Sequence, residues 1–189
     1  MAGERGVSCN VLVIPEDPTY NGYILKPLVS KLLETCGKGN ANVEVLTDPK
    51  LSGFEDACRS MAEIVDRYQY KHLLLFLPDR DGKDRDPLFA NLEEEHGPKL
   101  ICCAAVEEVE AWLLAGHIDK LERSWSTMRA DVSVKENVFA PFLRRHGDSR
   151  RSGGGREELM RETLTNLDGL LARCPELDDL RKRICEAMA

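Results

Sequence analysis

The chain reads as short apolar runs separated by stretches with helical spacing. Val11–Ile14 is apolar and rich in β-branched residues and is closed by Pro15, the pattern of a buried strand. Ile24, Leu25, Leu28, Val29, Leu32 and Leu33 then recur at helical intervals up to Gly37 and Gly39. Val43, Val45 and Leu46 predict a second strand, and Phe54–Tyr68 carries an apolar stripe through Phe54, Ala57, Cys58, Met61, Ile64, Val65 and Tyr68. His72–Leu77 is the strongest strand, apolar at every position after the histidine. Leu100–Val106 predicts a fourth strand, after which Glu107–Ala115 turns helical. Apolar strands alternating with helices predict an α/β fold with a Rossmann-like parallel sheet of about four strands, covered on both faces and joined by right-handed crossovers. Ligands of such sheets bind off the carboxyl ends of the strands, so the residues that follow each strand carry the functional question.

From about residue 119 the strand pattern stops. Val132–Leu143 predicts a helix bent at Pro141, and Glu157–Cys174 and Pro175–Met188 predict two more, with Pro175 suited to a first helical position. Between them RRHGDSRRSGGGR, Arg144–Arg156, reads as a mobile Gly/Ser/Arg loop. The organisation expected is an α/β unit over 1–118 with a helical extension, 119–189, packed on it.

Composition narrows the classes. With 189 residues, 42% hydrophobic and 31% charged, the chain is globular, not disordered, collagen-like or a small disulfide scaffold. Its densest apolar run, Leu73–Leu77, is far short of the ~18 residues that span a bilayer. No leader is read in MAGERGVSCNVLVIPED, and a cytoplasmic protein with no membrane partner is expected. Seven cysteines without a C-x-x-C, two of them adjacent at Cys102–Cys103, read as buried thiols of a reducing compartment. His72, His96, His117 and His146 lack zinc spacing. The net charge of -7 lies in the first part, while Arg144–Arg156 holds five arginines against Asp148 alone. That distribution fits an anionic partner bridged to acids by a cation, or an ordinary solvated surface.

The acids fall where a ligand belongs. The first strand runs into Glu16 and Asp17, the third into LPDRDG with Asp79 and Asp81, and the fourth into Glu107, Glu108 and Glu110. In extended backbone Asp79 and Asp81 would point the same way. Like charges at ~4 Å repel by about 4 kcal/mol at an effective dielectric of 20, so such a cluster needs protons or a cation. Oxygen donors alone favour Mg²⁺ or Mn²⁺. A bare D-x-D-G also describes turns, and with Asp84 and Asp86 the segment LPDRDGKDRDP also reads as a solvated acidic loop.

The strand-one Glu in VLVIPED followed by a D-x-D in LLLFLPDRDG resembles a TOPRIM catalytic domain, the domain of topoisomerases, primases and OLD-type nucleases. CAAVEEVEAWLLAG and CPELDDLRKRI are similar to segments of small stand-alone TOPRIM-like proteins, some of them associated with phage defence. The resemblance implies a Mg²⁺-dependent (or Mn²⁺-dependent) nuclease, a defence or toxin effector acting on DNA or RNA. Glu16, Asp79 and Asp81 would be its catalytic metal-binding residues. Glu110, or Glu107 one turn earlier, would be a further ligand. Asp17 and Pro18 depart from the Gly that usually follows the first Glu. The chain has no topoisomerase tyrosine domain and no primase zinc ligands, which leaves hydrolysis by water. Lys135 and the loop arginines Arg144, Arg145, Arg150 and Arg151 are the candidates for backbone phosphates. Trp112, in an apolar helix, reads as core, while Trp125 is a candidate for base stacking. A companion ATPase and self-association stay open as partners.

Two other classes compete. A haloacid-dehalogenase-like phosphatase would use Asp79 as nucleophile and Asp81 as acid/base, but Lys83 follows the motif and the motif ends the third strand. A receiver-like or non-catalytic metal- or partner-binding subunit would need the same acids without turnover.

Overall fold

The computed structural model describes residues 9–189, so the reading of no leader at residues 1–8 lies outside the described residues. Four strands, β1 (Asn10–Pro15), β2 (Asn42–Val45), β3 (Leu73–Leu77) and β4 (Leu100–Cys102), form one parallel sheet in the order β2-β1-β3-β4. The α/β fold with a helix-covered parallel sheet is therefore as the sequence predicts. Alternate side chains enter separate cores. Val11, Val13, Leu73, Leu75, Leu77 and Ile101 face one side, and Leu12, Ile14, Leu74, Phe76, Leu100 and Cys102 face the other.

The second face is covered by α2 (Phe54–Arg67) and α3 (Asp86–His96). The solvated loop read here runs only through Asp84, and α3 begins at Asp86. Pro87 occupies its first turn, Gly97 ends it, and Phe89 and Leu92 bury one side of it against Phe54 and Phe76. The first face is covered by α1 (Gly22–Thr35) together with the helices of the C-terminal part. The short α4 (Glu110–Leu114) stands just ahead of that part, which includes α5 (Trp125–Arg129), α6 (Ala140–His146), α7 (Arg156–Leu164), α8 (Leu167–Arg173) and α9 (Pro175–Ala187). A π-helical turn, Lys135–Phe139, leads into α6. The helix predicted over Glu157–Cys174 is two helices. Asn166 accepts from the Gly169 N–H and caps the second, which breaks the run. One continuous apolar core takes in Val11 and Val13 of the sheet and Leu159, Leu177, Leu180 and Ile184 of the C-terminal helices.

Two further readings are corrected. Cys36 at the end of α1 and Cys185 in α9 form a disulfide, so these two are not free thiols. Cys9, Cys58, Cys102, Cys103 and Cys174 are. The arginine loop is folded and packed. Asp148 accepts from the backbone N–H and guanidinium of Arg150, and Gly153 lies flat on Tyr23 of α1. Among the described residues no helix is long and apolar enough to cross a membrane.

Candidate active site at the carboxyl edge of the sheet

Register decides which acids meet. β1 pairs with β3 as far as Pro15 opposite Leu77, which brings the next residues, Glu16 and Pro78, out side by side with Asp79 one step on. β3 pairs with β4 at Phe76 and Cys102, and an isolated bridge joins Asp79 to Ala105. The segment after β4 therefore passes the Asp79 backbone just before Glu107–Glu110. Acids far apart in the chain reach one edge because three neighbouring parallel strands end there.

The extended geometry expected for the D-x-D pair does not hold. Arg80 N–H donates to the Ala105 and Glu107 carbonyls, Asp81 turns to φ 53°, and Gly82 follows at φ 67°. The chain reverses after Arg80, so Asp79 is buried while the Asp81 side chain stays about half exposed beside Arg85. Asp81 nonetheless stands close enough to Glu16 to raise its pKa.

The electrostatics are those of crowded carboxylates. Burial pushes the Asp79 pKa up to about 8, and Glu110, Glu16 and Glu108 add to the shift against one hydrogen bond from the Val109 N–H at 2.7 Å. Burial also raises Glu16, with Asp81 adding, while backbone N–H groups of Asp79 and Phe54 and the Arg85 guanidinium pull it back. Glu108 is pushed up to about 7 by burial although the Lys135 backbone N–H donates to it. Glu110 is fully buried and raised by that burial, countered by the Lys135 and Arg156 cations. Burial alone would lower the Lys135 ammonium, but Glu110, Asp79, Asp17 and Glu108 outweigh it and hold it above the ordinary lysine value. Its Nζ lies 3.7 Å from Glu110 Oε1.

The acids after β4 divide by role. Glu107 accepts from the Gly82 N–H and lies near Arg80, so it fastens the Asp79–Gly82 loop instead of facing the site. It also precedes α4, so it does not stand a helical turn behind Glu110 as expected. Glu110 opens α4 and has no hydrogen-bond partner on either oxygen. Of the predicted phosphate contacts, Lys135 joins the site. Arg145 pairs with Glu122, Arg150 with Asp148, and Arg151 with Asp148 and Glu158, while Arg144 is exposed. The ion pairs of Arg145, Arg150 and Arg151 are all with acids outside the cluster. The basic segment delivers Arg156 instead, whose guanidinium stands near Glu110. Trp112 is core, with its indole N–H donating to Glu176, and Trp125 is half-buried against Arg129.

Sequence reasoning missed Asn21, Arg85 and the particular role of Arg156. Arg85 is buried with its guanidinium carbon 3.5 Å from the Phe54 ring centroid and Nη2 3.4 Å from Asp81 Oδ2. Its signal was the helix start at Pro87, which places Arg85 at a turn instead of in solvent.

One pattern unites these residues. Among the described residues, every buried side-chain nitrogen or oxygen without a hydrogen-bond partner belongs to Glu16, Asn21, Arg85, Glu110 or Arg156. Elsewhere buried polar groups are satisfied. Lys71 meets Glu44 at 2.7 Å, His117 meets the Leu159 carbonyl at 3.0 Å, and Thr163 donates to the Leu113 carbonyl at 2.7 Å. An unsatisfied buried group costs about 1–3 kcal/mol, so the fold concentrates that cost at one edge. The carboxylate oxygens among them fit a hard divalent cation in chemistry. Among the described residues no three His, Cys, Asp or Glu side chains are gathered into a ready-made cation site; the positive charge beside these acids comes from Lys135, Arg156 and Arg85.

Gly153 ties the basic segment to the site. Its φ is +69°, and a Cβ there would stand 2.5 Å from Tyr23 Cδ2. Gly153→Ala is expected to cost about 1–3 kcal/mol through strain and the displaced ring, seen as a drop of several degrees in a thermal melt. An unchanged Tm would contradict the packing. Comparison of the chain with protein-family models, curated proteins and solved structures gives no match.

Proposed function

We propose that this chain is a TOPRIM-like, Mg²⁺- or Mn²⁺-dependent hydrolase of nucleic-acid phosphodiesters. The observation that carries the reading is the set of buried polar atoms without hydrogen bonds at the carboxyl edge, with neither oxygen of the fully buried Glu110 hydrogen-bonded and the Lys135 ammonium, 3.7 Å away, facing it. Glu16, Asp79 and Asp81 would hold the cation, and Glu110 is the acid after β4 with neither oxygen hydrogen-bonded and so able to join them. A bound divalent ion would neutralise phosphate oxygens and make a water acidic enough to attack.

The chain's own residues do the rest. Lys135 and Arg156 set positive charge beside Glu110, where a phosphate drawn to the cation would need a second counter-charge. Arg85 does the same beside Glu16 and Asp81. With its pKa at about 8, Asp79 keeps its proton at neutral pH until a cation replaces it. Lys83, directly after the D-x-D-G, argues against Asp79 as the nucleophile of a haloacid-dehalogenase-like phosphatase. The motif's place after the third strand argues the same way.

The test is a chelated sample given Mg²⁺ or Mn²⁺ with labelled DNA and RNA. Hydrolysis that needs the divalent ion and stops with EDTA is expected, together with a rise in Tm on adding Mn²⁺. A flat Tm together with no cleavage of any substrate would overturn the proposal. A non-catalytic cation- or partner-binding subunit, using the same acids without turnover, is the second reading. A Tm rise without cleavage would select it.

A further inference from the structure

We propose that the substrate is a single strand, one of whose bases stacks on Tyr20; the inference rests on the nucleic-acid reading of the adjacent acids. Tyr20 lies in the turn that follows Glu16 and Asp17 and is 46% exposed. That turn is closed by the Asp17 carboxylate, which accepts from the Thr19 N–H at 2.8 Å, and by the Asp17 carbonyl, which accepts from the Asn21 N–H. The Tyr20 ring thus follows closely on Glu16 and Asp17 in the chain, and the Arg156 guanidinium links it to Glu110.

Arg156 supports it. The guanidinium carbon lies 4.6 Å from the Tyr20 ring centroid and 5.3 Å from that of Phe139, so the cation is held between two aromatic rings. Its Nη1 donates to the Gly153 carbonyl at 2.7 Å, whereas Nε is buried without a partner. Next to Tyr20, Asn21 is fully buried with both amide atoms unpartnered. An exposed aromatic ring, a cation with an unused N–H and an unused amide thus adjoin the proposed cation ligands.

Stacking on an aromatic ring needs a base free of its own duplex neighbours, which selects single-stranded nucleic acid, and the cation beside it suits the phosphate that such a base brings along. Tyr70 is a built-in control. It is more exposed, at 64%, but sits ahead of β3 at the opposite end of the sheet, beside Lys71 and away from the acids.

The experiment is fluorescence anisotropy in EDTA with a fluorescein-labelled DNA of about 12 nucleotides, within the range of known single-strand sites, as a single strand and as a duplex. The single strand is expected to bind at least ~10-fold tighter than the duplex, and Tyr20→Ala to weaken it by about 5- to 160-fold, the range for one stacked base. Tyr20→Trp should restore binding, with quenching of the new indole, and Tyr70→Ala should change nothing. Melting curves show whether each variant is folded. Preference for the duplex, or single-strand binding indifferent to Tyr20→Ala, overturns the platform. Tyr20-dependent binding without cleavage under any divalent ion leaves the platform standing and removes the hydrolase reading. Cleavage indifferent to Tyr20→Ala does the reverse, and no binding to these DNAs or to a single-stranded RNA of the same length overturns the platform.

Discussion

Metal-free Asp79→Asn protein will unfold at a higher temperature than the parent at pH 8–9, and, on the hydrolase proposal, the variant supplied with Mg²⁺ or Mn²⁺ will lose the cleavage expected of the parent. The amide that replaces the carboxyl keeps an oxygen to accept from the Val109 N–H and removes the buried charge. In the folded parent Asp79 holds its proton up to about pH 8, whereas in the unfolded chain it releases it near pH 4. Between these values the unfolded state binds fewer protons, so the parent loses stability as pH rises, and above pH 8 the loss is complete and constant. A proton held across that interval corresponds to ~2–5 kcal/mol once relaxation of the site is allowed for. At about 2–4 °C per kcal/mol that is a Tm gap of roughly 4–20 °C at pH 8–9, shrinking to nothing near pH 4. Mn²⁺ should raise the Tm of the parent at pH 8 more than that of the variant. Activity should fall about 100- to 1,000-fold in Asp79→Asn and Asp79→Ala alike. A variant melting below the parent across the whole pH range would show that Asp79 is held for structure alone.

This opposition between stability and charge explains how much of the site was legible in the chain. LLLFLPD told of a buried strand ending in an acid, and VLVIPED told of another; their parallel pairing then follows from two-sided burial, and the meeting of Glu16 with Asp79 follows from the register. The geometry of Asp81 was not legible. Its left-handed turn depends on Glu107 accepting from Gly82, a contact between residues 25 apart in sequence. Arg85 was hidden for a related reason. DGKDRDP looks like solvated loop until Phe89 and Leu92 find Phe54 and Phe76, because α3 has only a narrow apolar side. Arginine count pointed to the right segment but to the wrong members of it. Arg145, Arg150 and Arg151 face local acids, and Arg156 is selected by glycine packing and two aromatic rings that composition does not reveal.

Trp112→Ala is expected to cause the largest loss of stability of any single substitution considered for this chain. Trp112 is fully buried in the core shared by the sheet and the C-terminal helices, and large-to-small changes of this kind cost about 3–5 kcal/mol. Its indole N–H donates to Glu176 Oε1 at 2.8 Å, and the other Glu176 oxygen accepts from Arg129. Truncation therefore opens a cavity and also leaves Glu176 short of a donor, a further ~1 kcal/mol or more. A Tm fall of roughly 8–20 °C follows at about 2–4 °C per kcal/mol. Trp112→Phe separates the two contributions, since it keeps most of the ring and loses the N–H; its loss should be a minor part of the total. The consequence reaches the site because Trp112 is two residues from Glu110 on α4, a helix of five residues that packing alone holds in place. Cation affinity, read from the Tm rise on adding Mn²⁺, should drop in Trp112→Ala below the unfolding transition and persist in Trp112→Phe. Equal cation response in the alanine variant would show that Glu110 is positioned without the C-terminal helices, and that their packing against the sheet serves stability only.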